Sequence, residues 1–296
     1  MKGFLVRSLL GAAVMMLAFA ARAAAQDALV LEPSSDWTLD YAEDSCALRR
    51  TFGTGESQTW LEIMQLTPGV SYRISVASSG LPMSRRRAPA VRFLPEGAEA
   101  VYDLAAYGDY GEGFEGVAFY AAILPSAPED FAEVQSILPD KALVANQAST
   151  TAIEVRRAFD PPIVLRTGSL LRPLEAMHAC MEDLVSRWEI AAGGETSDSQ
   201  PPVPRNMLGW AKPIMNFYPR GLVRFDGPSR ILARVIVSPD GKPEKCRVIE
   251  PVVNDDYQER TCGVVLSRGE YEPARDLNGN PVRGLHVLSI VYVTTP

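Results

Sequence analysis

Hydrophobic and polar residues alternate over short stretches in the first half of the chain. Alternation with a period of two is typical of half-buried β-strands, and turn residues such as Pro68-Gly69 separate the stretches. The predicted strands are Trp37–Tyr41, Cys46–Phe52, Thr59–Leu66, Tyr72–Val76, Gly111–Leu124, Thr150–Val155 and Ile163–Arg166. The pattern therefore predicts a β-rich domain within residues 27–190.

One long helical pattern closes this region. Over Leu170–Glu189, apolar residues recur at the three- and four-residue spacing of a single helix face. They are Leu174, Met177, Met181, Leu184 and Trp188. Residues 191–204 follow with Gly193-Gly194 and Pro201-Pro202, which predicts a polar linker.

Residues 205–296 carry a second, different pattern. Ile231–Val237 and Cys246–Ile249 alternate as strands, and Pro239-Asp240-Gly241 between them has the composition of a tight turn. Asp255–Arg268 is predicted as a helix, and Leu285–Val293 as a last strand. The order β-β-α-β predicts a three-stranded antiparallel sheet with one helix on one face. The fold class expected for the whole chain is α+β.

Three short motifs punctuate this second pattern. Tyr218-Pro219 precedes the first strand, Pro239-Asp240-Gly241 forms its turn, and Tyr271-Glu272-Pro273 follows the helix. In this order and spacing, residues 205–296 resemble the C-terminal domain of TonB proteins. Cys246 and Cys262 depart from the archetypal energy transducer, as does a longer loop over residues 274–284. The resemblance implies a periplasmic protein-interaction module that pairs a strand edge with an outer-membrane receptor or another envelope protein.

The last strand is the candidate partner-binding edge under this resemblance. Its residues are Leu285, His286, Val287, Leu288, Ser289, Ile290, Val291, Tyr292 and Val293. None of them is acidic or carries the charge of Lys or Arg, and a long uncharged edge invites pairing with another strand. We expect a partner peptide or a second copy of the chain to occupy the edge, so a homodimer remains an alternative.

Met1–Ala25 has the layout of a secretory signal peptide. Lys2 and Arg7 make a basic start, Leu9–Ala21 is apolar, and small residues follow. The apolar stretch is shorter than the roughly 20 residues that a membrane-spanning helix needs. We therefore expect a cleaved signal and a periplasmic protein. The alternative is a retained anchor in the inner membrane, which would make the chain a TonB energy transducer, although the linker lacks the long Pro-rich spacer of such proteins.

The cysteines fit an exported protein. An even number, four, predicts two disulfides in an oxidising compartment. Cys246 and Cys262 lie in neighbouring elements of the C-terminal domain, which leaves Cys46 for Cys180. Buried free thiols are the alternative.

Charge and motif content narrow the function classes. Residues 26–203 have a net charge of −13 and residues 204–296 a net charge of +3, which argues against a nucleic-acid partner and favours contact between the two halves. No Gly-x-Ser-x-Gly or His-Glu-x-x-His motif is present, and the Glu175/His178 pair has no further evident metal ligands. We expect a protein that is not an enzyme and has no cofactor or metal site. An enzyme with its site in residues 27–190 is the second alternative.

The targeting prediction can be tested by mass. Because small residues end the apolar stretch, the exported protein should begin near Ala24 or Gln26, as read from the intact mass of the chain purified from the periplasm. Recovery of a chain that retains Met1 in a carbonate-resistant membrane fraction would instead support the anchored alternative.

Overall fold

The computed structural model describes residues 27–85, 87–123, 147–188, 190, 200–216, 229–250 and 255–292. Over these ranges the chain is a strand-rich α+β protein, which confirms the predicted fold class. The predicted targeting segment Met1–Ala25, most of the predicted linker, the Tyr218-Pro219 motif and Val293 of the predicted edge lie outside the described residues.

The first part of the chain forms two sheets and a helix. Its elements are β1 (Leu29–Leu31), β2 (Thr38–Tyr41), β3 (Cys46–Phe52), a 3-10 turn (Gly55–Ser57), β4 (Thr59–Gln65), β5 (Ser71–Ser78), β6 (Ala90–Leu94), β7 (Ala100–Val101), β8 (Ala106–Asp109), β9 (Glu115–Ala122), β10 (Ala152–Arg156), β11 (Ile163–Leu165) and α1 (Leu171–Arg187). Strands β1, β6, β7 and β8 were not among the predicted strands.

The larger sheet is antiparallel and has six strands in the order β2-β3-β4-β5-β9-β8. Alternation puts one apolar row across its middle, where Leu48 of β3 lies opposite Ile63 of β4. The row continues through Ile74 of β5 to Phe119 of β9. All four side chains are buried, and each contributes about 1.5–3 kcal/mol by leaving water.

The smaller sheet has five strands in the order β1-β11-β10-β6-β7, with β1 and β11 parallel. Its apolar residues, such as Ile153 of β10 and Phe93 of β6, join the same core as the six-stranded sheet. On the other face, Arg92 lies opposite Glu154 and pairs with it at 3.4 Å. Both sheets therefore share one hydrophobic core.

Helix α1 packs on β2 and β3 with the predicted face. Leu174, Met177 and Leu184 are buried against the core, at the spacing of one helical stripe. Cys180 lies on the same face and is bonded to Cys46 at the start of β3. The predicted disulfide thus joins the helix to the six-stranded sheet.

The second part of the chain forms a small sheet covered by two helices. Its elements are β12 (Val203–Pro204), α2 (Met207–Met215), β13 (Ser229–Val237), β14 (Pro243–Glu250), α3 (Asp255–Arg268), β15 (Tyr271–Glu272), β16 (Ala274–Arg275), β17 (Pro281–Val282) and β18 (Gly284–Tyr292). Strands β14-β13-β18 make an antiparallel sheet with β13 in the centre. The four predicted elements appear in the order β-β-α-β, and Cys246 of β14 is bonded to Cys262 of α3.

The region before β13 differs from the prediction. Val203 and Pro204, placed in the linker by their composition, pair with β15, and Gln200 forms a bridge with Arg275. The linker therefore ends before Gln200, because main-chain pairing fixes these residues to the C-terminal unit. Helix α2 was not predicted either, since Gly209 and Pro213 weaken its helical signal.

Two of the sequence motifs contact each other in space. Gly241 in the β13–β14 turn has a φ of +79°, and its carbonyl accepts a hydrogen bond of 3.1 Å from the N–H of Tyr271. A Cβ at position 241 would lie 2.2 Å from the Tyr271 carbonyl oxygen, so only glycine fits. The Pro-Asp-Gly and Tyr-Glu-Pro motifs are thus one structural unit.

Both faces of the central strand β13 are buried. Ala233, Val235 and Val237 face the helices and pack with residues such as Trp210 of α2 and Val265 of α3. The opposite face carries Leu232, Arg234 and Ile236, which are also buried. Ile236 belongs to the core of the N-terminal sheets. The C-terminal sheet is therefore packed between its own helices and the N-terminal unit.

The two disulfides should differ in their contribution to stability. Replacing Cys46 and Cys180 together by alanine should lower the free energy of unfolding by about 2–5 kcal/mol, measured by chemical denaturation. The double variant Cys246→Ala/Cys262→Ala should lower the free energy of unfolding by less. In the chain-entropy model the reason is that the Cys246–Cys262 disulfide closes a loop with a sequence separation of 16, whereas the Cys46–Cys180 disulfide closes one of 134. Non-reducing peptide mapping checks the pairing, and a crosslink between the two halves would contradict it.

Candidate functional site

Strand β18 forms one edge of the C-terminal sheet. It pairs with β13 without interruption from Val237↔Gly284 to Ser229↔Tyr292. Within the described part of the chain, no strand pairs with its other side. Leu285–Tyr292 of the predicted binding edge therefore lie together on an outer strand, and only Val293 is outside the described residues.

The opposite edge of the sheet, β14, has a different character. It carries Glu244, Lys245 and Arg247, and its pairing with β13 shifts register at two places. Charged side chains and bulges are the usual protection of an edge against pairing. Strand β18 has neither acidic nor basic charged residues between Gly284 and Tyr292 and no shift in register. The β18 edge is thus the unprotected one.

The side chains of β18 alternate between two environments. Leu288 and Ile290 are buried under the helices, and His286 lies on the same side with its ring 5.3 Å from that of Tyr271. Burial lowers the pKa of His286 to about 4, so the imidazole is neutral at pH 7. Val287 and Val291 are on the other side, toward the N-terminal unit, where Val291 is 37% exposed. The strand is anchored from one face and partly open on the other.

Arg234 holds the N-terminal unit to the other face of this sheet. Its guanidinium lies 3.8 Å from the centre of the Trp188 ring, and its Nη2 donates a hydrogen bond to Asp44. Arg247 Nε donates to the other oxygen of Asp44 at 2.7 Å. Burial lowers the pKa of Arg234, and the hydrogen bond to Asp44 opposes that change. At this contact an acidic residue of the N-terminal unit therefore pairs with two basic residues of the C-terminal unit.

A groove opens beside this junction. Its N-terminal wall comes from the β4–β5 turn and the outer face of the six-stranded sheet, and its C-terminal wall from β13 and β18. The groove is shallow, and the residues that line it are Leu66, Thr67, Pro68, Ser71, Arg73, Tyr120, Leu232 and Val287. Arg73 pairs with Glu62 at 3.6 Å. The buried Ser71 Oγ has no hydrogen-bond partner within the described ranges.

No pattern in the sequence predicts this groove. Its lining comes from four separated stretches that no spacing connects, and only the fold brings them together. The Pro68-Gly69 turn was predicted, but a turn alone says nothing about what lies across from it. Val287 was predicted as part of the binding edge, and the structure adds that its side chain also lines this groove.

The interior of the N-terminal unit also contains a small polar cluster away from the β18 edge, made of Tyr72, His178 and Gln147. The Tyr72 hydroxyl and His178 Nε2 share a hydrogen bond of 2.9 Å, and Gln147 Nε2 donates to the same hydroxyl at 3.3 Å. Burial raises the pKa of Tyr72 and lowers that of His178, which keeps both neutral at pH 7. Among the residues described, no group of three or more His, Cys, Asp or Glu is placed to hold a metal, and no helix has the length and apolarity to cross a bilayer.

The junction should depend on Asp44. Asp44→Ala leaves the Arg234 cation buried without its carboxylate and should lower the free energy of unfolding by about 3 kcal/mol, measured by urea denaturation. The double variant Asp44→Ala/Arg234→Met removes the buried charge as well and should recover part of that loss.

Arg247→Ala is the matched control. The Arg247 side chain is 52% exposed, so its pair with the same carboxylate should be worth less than about 1 kcal/mol. A double variant no more stable than Asp44→Ala would show that the unpaired Arg234 charge is not the cause of the loss.

Comparison of the chain with protein-family models, with curated proteins and with solved structures finds no match. The resemblance of residues 205–296 to TonB C-terminal domains therefore stays a prediction from the sequence motifs.

Proposed function

We propose that the chain is an exported protein-interaction module of the periplasm, with a β-rich domain in residues 27–190 and a TonB-like domain in residues 205–296. Its partner is an envelope protein, such as an outer-membrane receptor, that adds an extended segment to the β18 edge. The observation that carries the proposal is the contrast between the two sheet edges. Strand β14 is charged and bulged, whereas β18 is uncharged and regularly paired over Gly284–Tyr292.

The burial of both sheet faces supports binding at the edge. Helices α2 and α3 cover one face of β13, and the N-terminal unit covers the other through Arg234 and Ile236. An apolar face is thus not open for a partner helix. The main-chain groups of β18 remain, and an added strand can pair with them by hydrogen bonds while its side chains provide selectivity.

The two disulfides support the proposed compartment. Bonds such as Cys46–Cys180 and Cys246–Cys262 persist in oxidising environments, which indicates an exported protein. Together with the signal-like start of the sequence, this favours the periplasm. An inner-membrane transducer would need the apolar stretch Leu9–Ala21 to remain attached, and fractionation separates the two.

Proline substitutions along β18 test the proposal. Backbone N–H groups at Ser289 and Val291 point to the same side of the strand, and that of Ile290 points to the other. If the first pair faces outward, Ser289→Pro and Val291→Pro should weaken capture of the partner from envelope extract about tenfold or more with the sheet intact. Ile290→Pro should then damage the sheet and lower the melting temperature. If instead the N–H of Ile290 faces outward, Ile290→Pro should weaken capture, and Ser289→Pro and Val291→Pro should damage the sheet.

A charge placed on the edge provides a second test with a matched control. Val291→Lys adds the protection that β14 already has and should reduce capture, because Val291 is 37% exposed and tolerates a longer side chain. Val101→Lys changes an exposed valine on β7, an edge strand of the five-stranded sheet, and should leave capture of the partner unchanged. Unchanged capture by folded Val291→Lys and by all three proline variants would refute edge pairing.

A further inference from the structure

We infer that the side chain of Gln258 closes the outer edge of β14, and that this edge, when it is opened, accepts β18 of a second copy of the chain. The inference concerns self-assembly, so it goes beyond the proposed function and does not depend on an envelope partner. The observation that carries it is a pair of contacts between the Gln258 carboxamide and the main chain of β14.

The carboxamide of Gln258 takes the place of a peptide group. Gln258 is on helix α3, and its Oε1 accepts a hydrogen bond of 2.7 Å from the N–H of Val248. Its Nε2 makes a longer contact of 3.5 Å with the carbonyl oxygen of Cys246. A carboxamide has an acceptor and donors, as the backbone of a neighbouring strand has. Two main-chain groups of β14 are therefore occupied by a side chain.

These two groups belong to the outer side of β14. In an antiparallel pair, residues that exchange both main-chain hydrogen bonds with the partner strand alternate with residues that exchange none. Arg247 lies opposite Arg234 of β13, between Cys246 and Val248. Because the N–H of Val248 donates to a side chain of α3, Cys246 and Val248 are the residues whose main-chain groups point away from β13.

A disulfide keeps the carboxamide in this position. Cys262 follows Gln258 by four residues, so both side chains are on one face of α3, and Cys262 is bonded to Cys246. The Nε2 atom of Gln258 also lies 3.3 Å from Cys262 Sγ. At the start of β14, Pro243 has no N–H, and the pairing with β13 shifts register beside it. The helix, the disulfide and the proline all reduce what β14 offers to another strand.

The occupant of an opened β14 edge follows from the sheet itself. Strands β14 and β18 both run antiparallel to the central strand β13, so they are parallel to each other at opposite edges of one sheet. Two copies in the same orientation can therefore place β18 of one beside β14 of the other and continue the sheet. Such a head-to-tail contact joins two different surfaces and generates rings or open filaments. With the Gln258 side chain on β14, this growth is blocked.

Gln258→Leu tests the closure. It replaces the carboxamide by an apolar group of similar size and removes both contacts with β14. The Val248 amide should then exchange its hydrogen about tenfold faster or more in the folded chain, measured by hydrogen–deuterium exchange with NMR detection. The same variant should sediment as species that grow with protein concentration, whereas the unmodified chain should not grow beyond a dimer.

Three variants serve as controls. Glu259→Leu places the same leucine at the neighbouring, exposed position of α3 and should change neither the exchange of the Val248 amide nor the sedimentation. Gln258→Glu keeps an oxygen that accepts from the Val248 N–H, so exchange should stay close to that of the unmodified chain. Adding Val291→Lys to Gln258→Leu puts a charge on the β18 edge and should suppress growth while the Val248 amide still exchanges fast.

The outcomes decide each part of the inference. Unchanged exchange of the Val248 amide in folded Gln258→Leu would overturn it, because Gln258 would then not close the edge. Fast exchange without larger species, or larger species that persist when Val291→Lys is added, would also overturn it, because β18 of a second copy would not be the occupant. Gln258→Ala replaces Gln258→Leu if the leucine variant fails to fold by circular dichroism. Capture of an envelope partner is measured separately, so a failure here leaves the proposed function standing.

Discussion

The arrangement of this molecule depends on a buried cation in the middle of a sheet. Arg234 is on the central strand of the C-terminal sheet, and it is stacked on Trp188 and hydrogen-bonded to Asp44. A guanidinium removed from water is costly unless it is paired, so the contact between the two units depends on Asp44 and Trp188 receiving Arg234. That contact covers the second face of the sheet and forms the groove next to β18, so that in the described part of the chain the two edges, β14 and β18, are the parts of the sheet without a paired strand.

Much of the local structure could be predicted from the sequence. Strand β3 and helix α3 have the predicted ends, Cys46–Phe52 and Asp255–Arg268, because each is followed by a glycine, Gly53 or Gly269, that favours a turn. Strand β6 was missed although Val91 and Phe93 alternate with Arg92, since it is short and follows a run of arginines. Its central arginine pairs with Glu154 of β10, and that partner could not be identified from local pattern.

Only the β18 edge of the site was predicted from the sequence, because the other residues of the site lie far apart along the chain. An outer final strand follows from the order of the elements, so Leu285–Tyr292 could be assigned to an edge. The burial of Arg234 could not be predicted from the alternation of its strand, because its partner Asp44 is 190 residues away. The groove is lined by the β4–β5 turn, the start of β5, and strands β9, β13 and β18. The hydrophobic periodicity of a single segment cannot predict a contact among elements so far apart in the chain.

The Cys46–Cys180 bond has a bearing on the order in which the molecule is assembled. Asp44 precedes Cys46 by two residues, and Trp188 follows the helix that carries Cys180, so the bond ties together the two elements that receive Arg234. Both elements come before β13 in the chain and are therefore synthesised before it. In an oxidising compartment, formation of this bond can complete the surface that receives Arg234 before the C-terminal sheet docks, whereas in a reducing compartment the C-terminal sheet meets that surface without the disulfide.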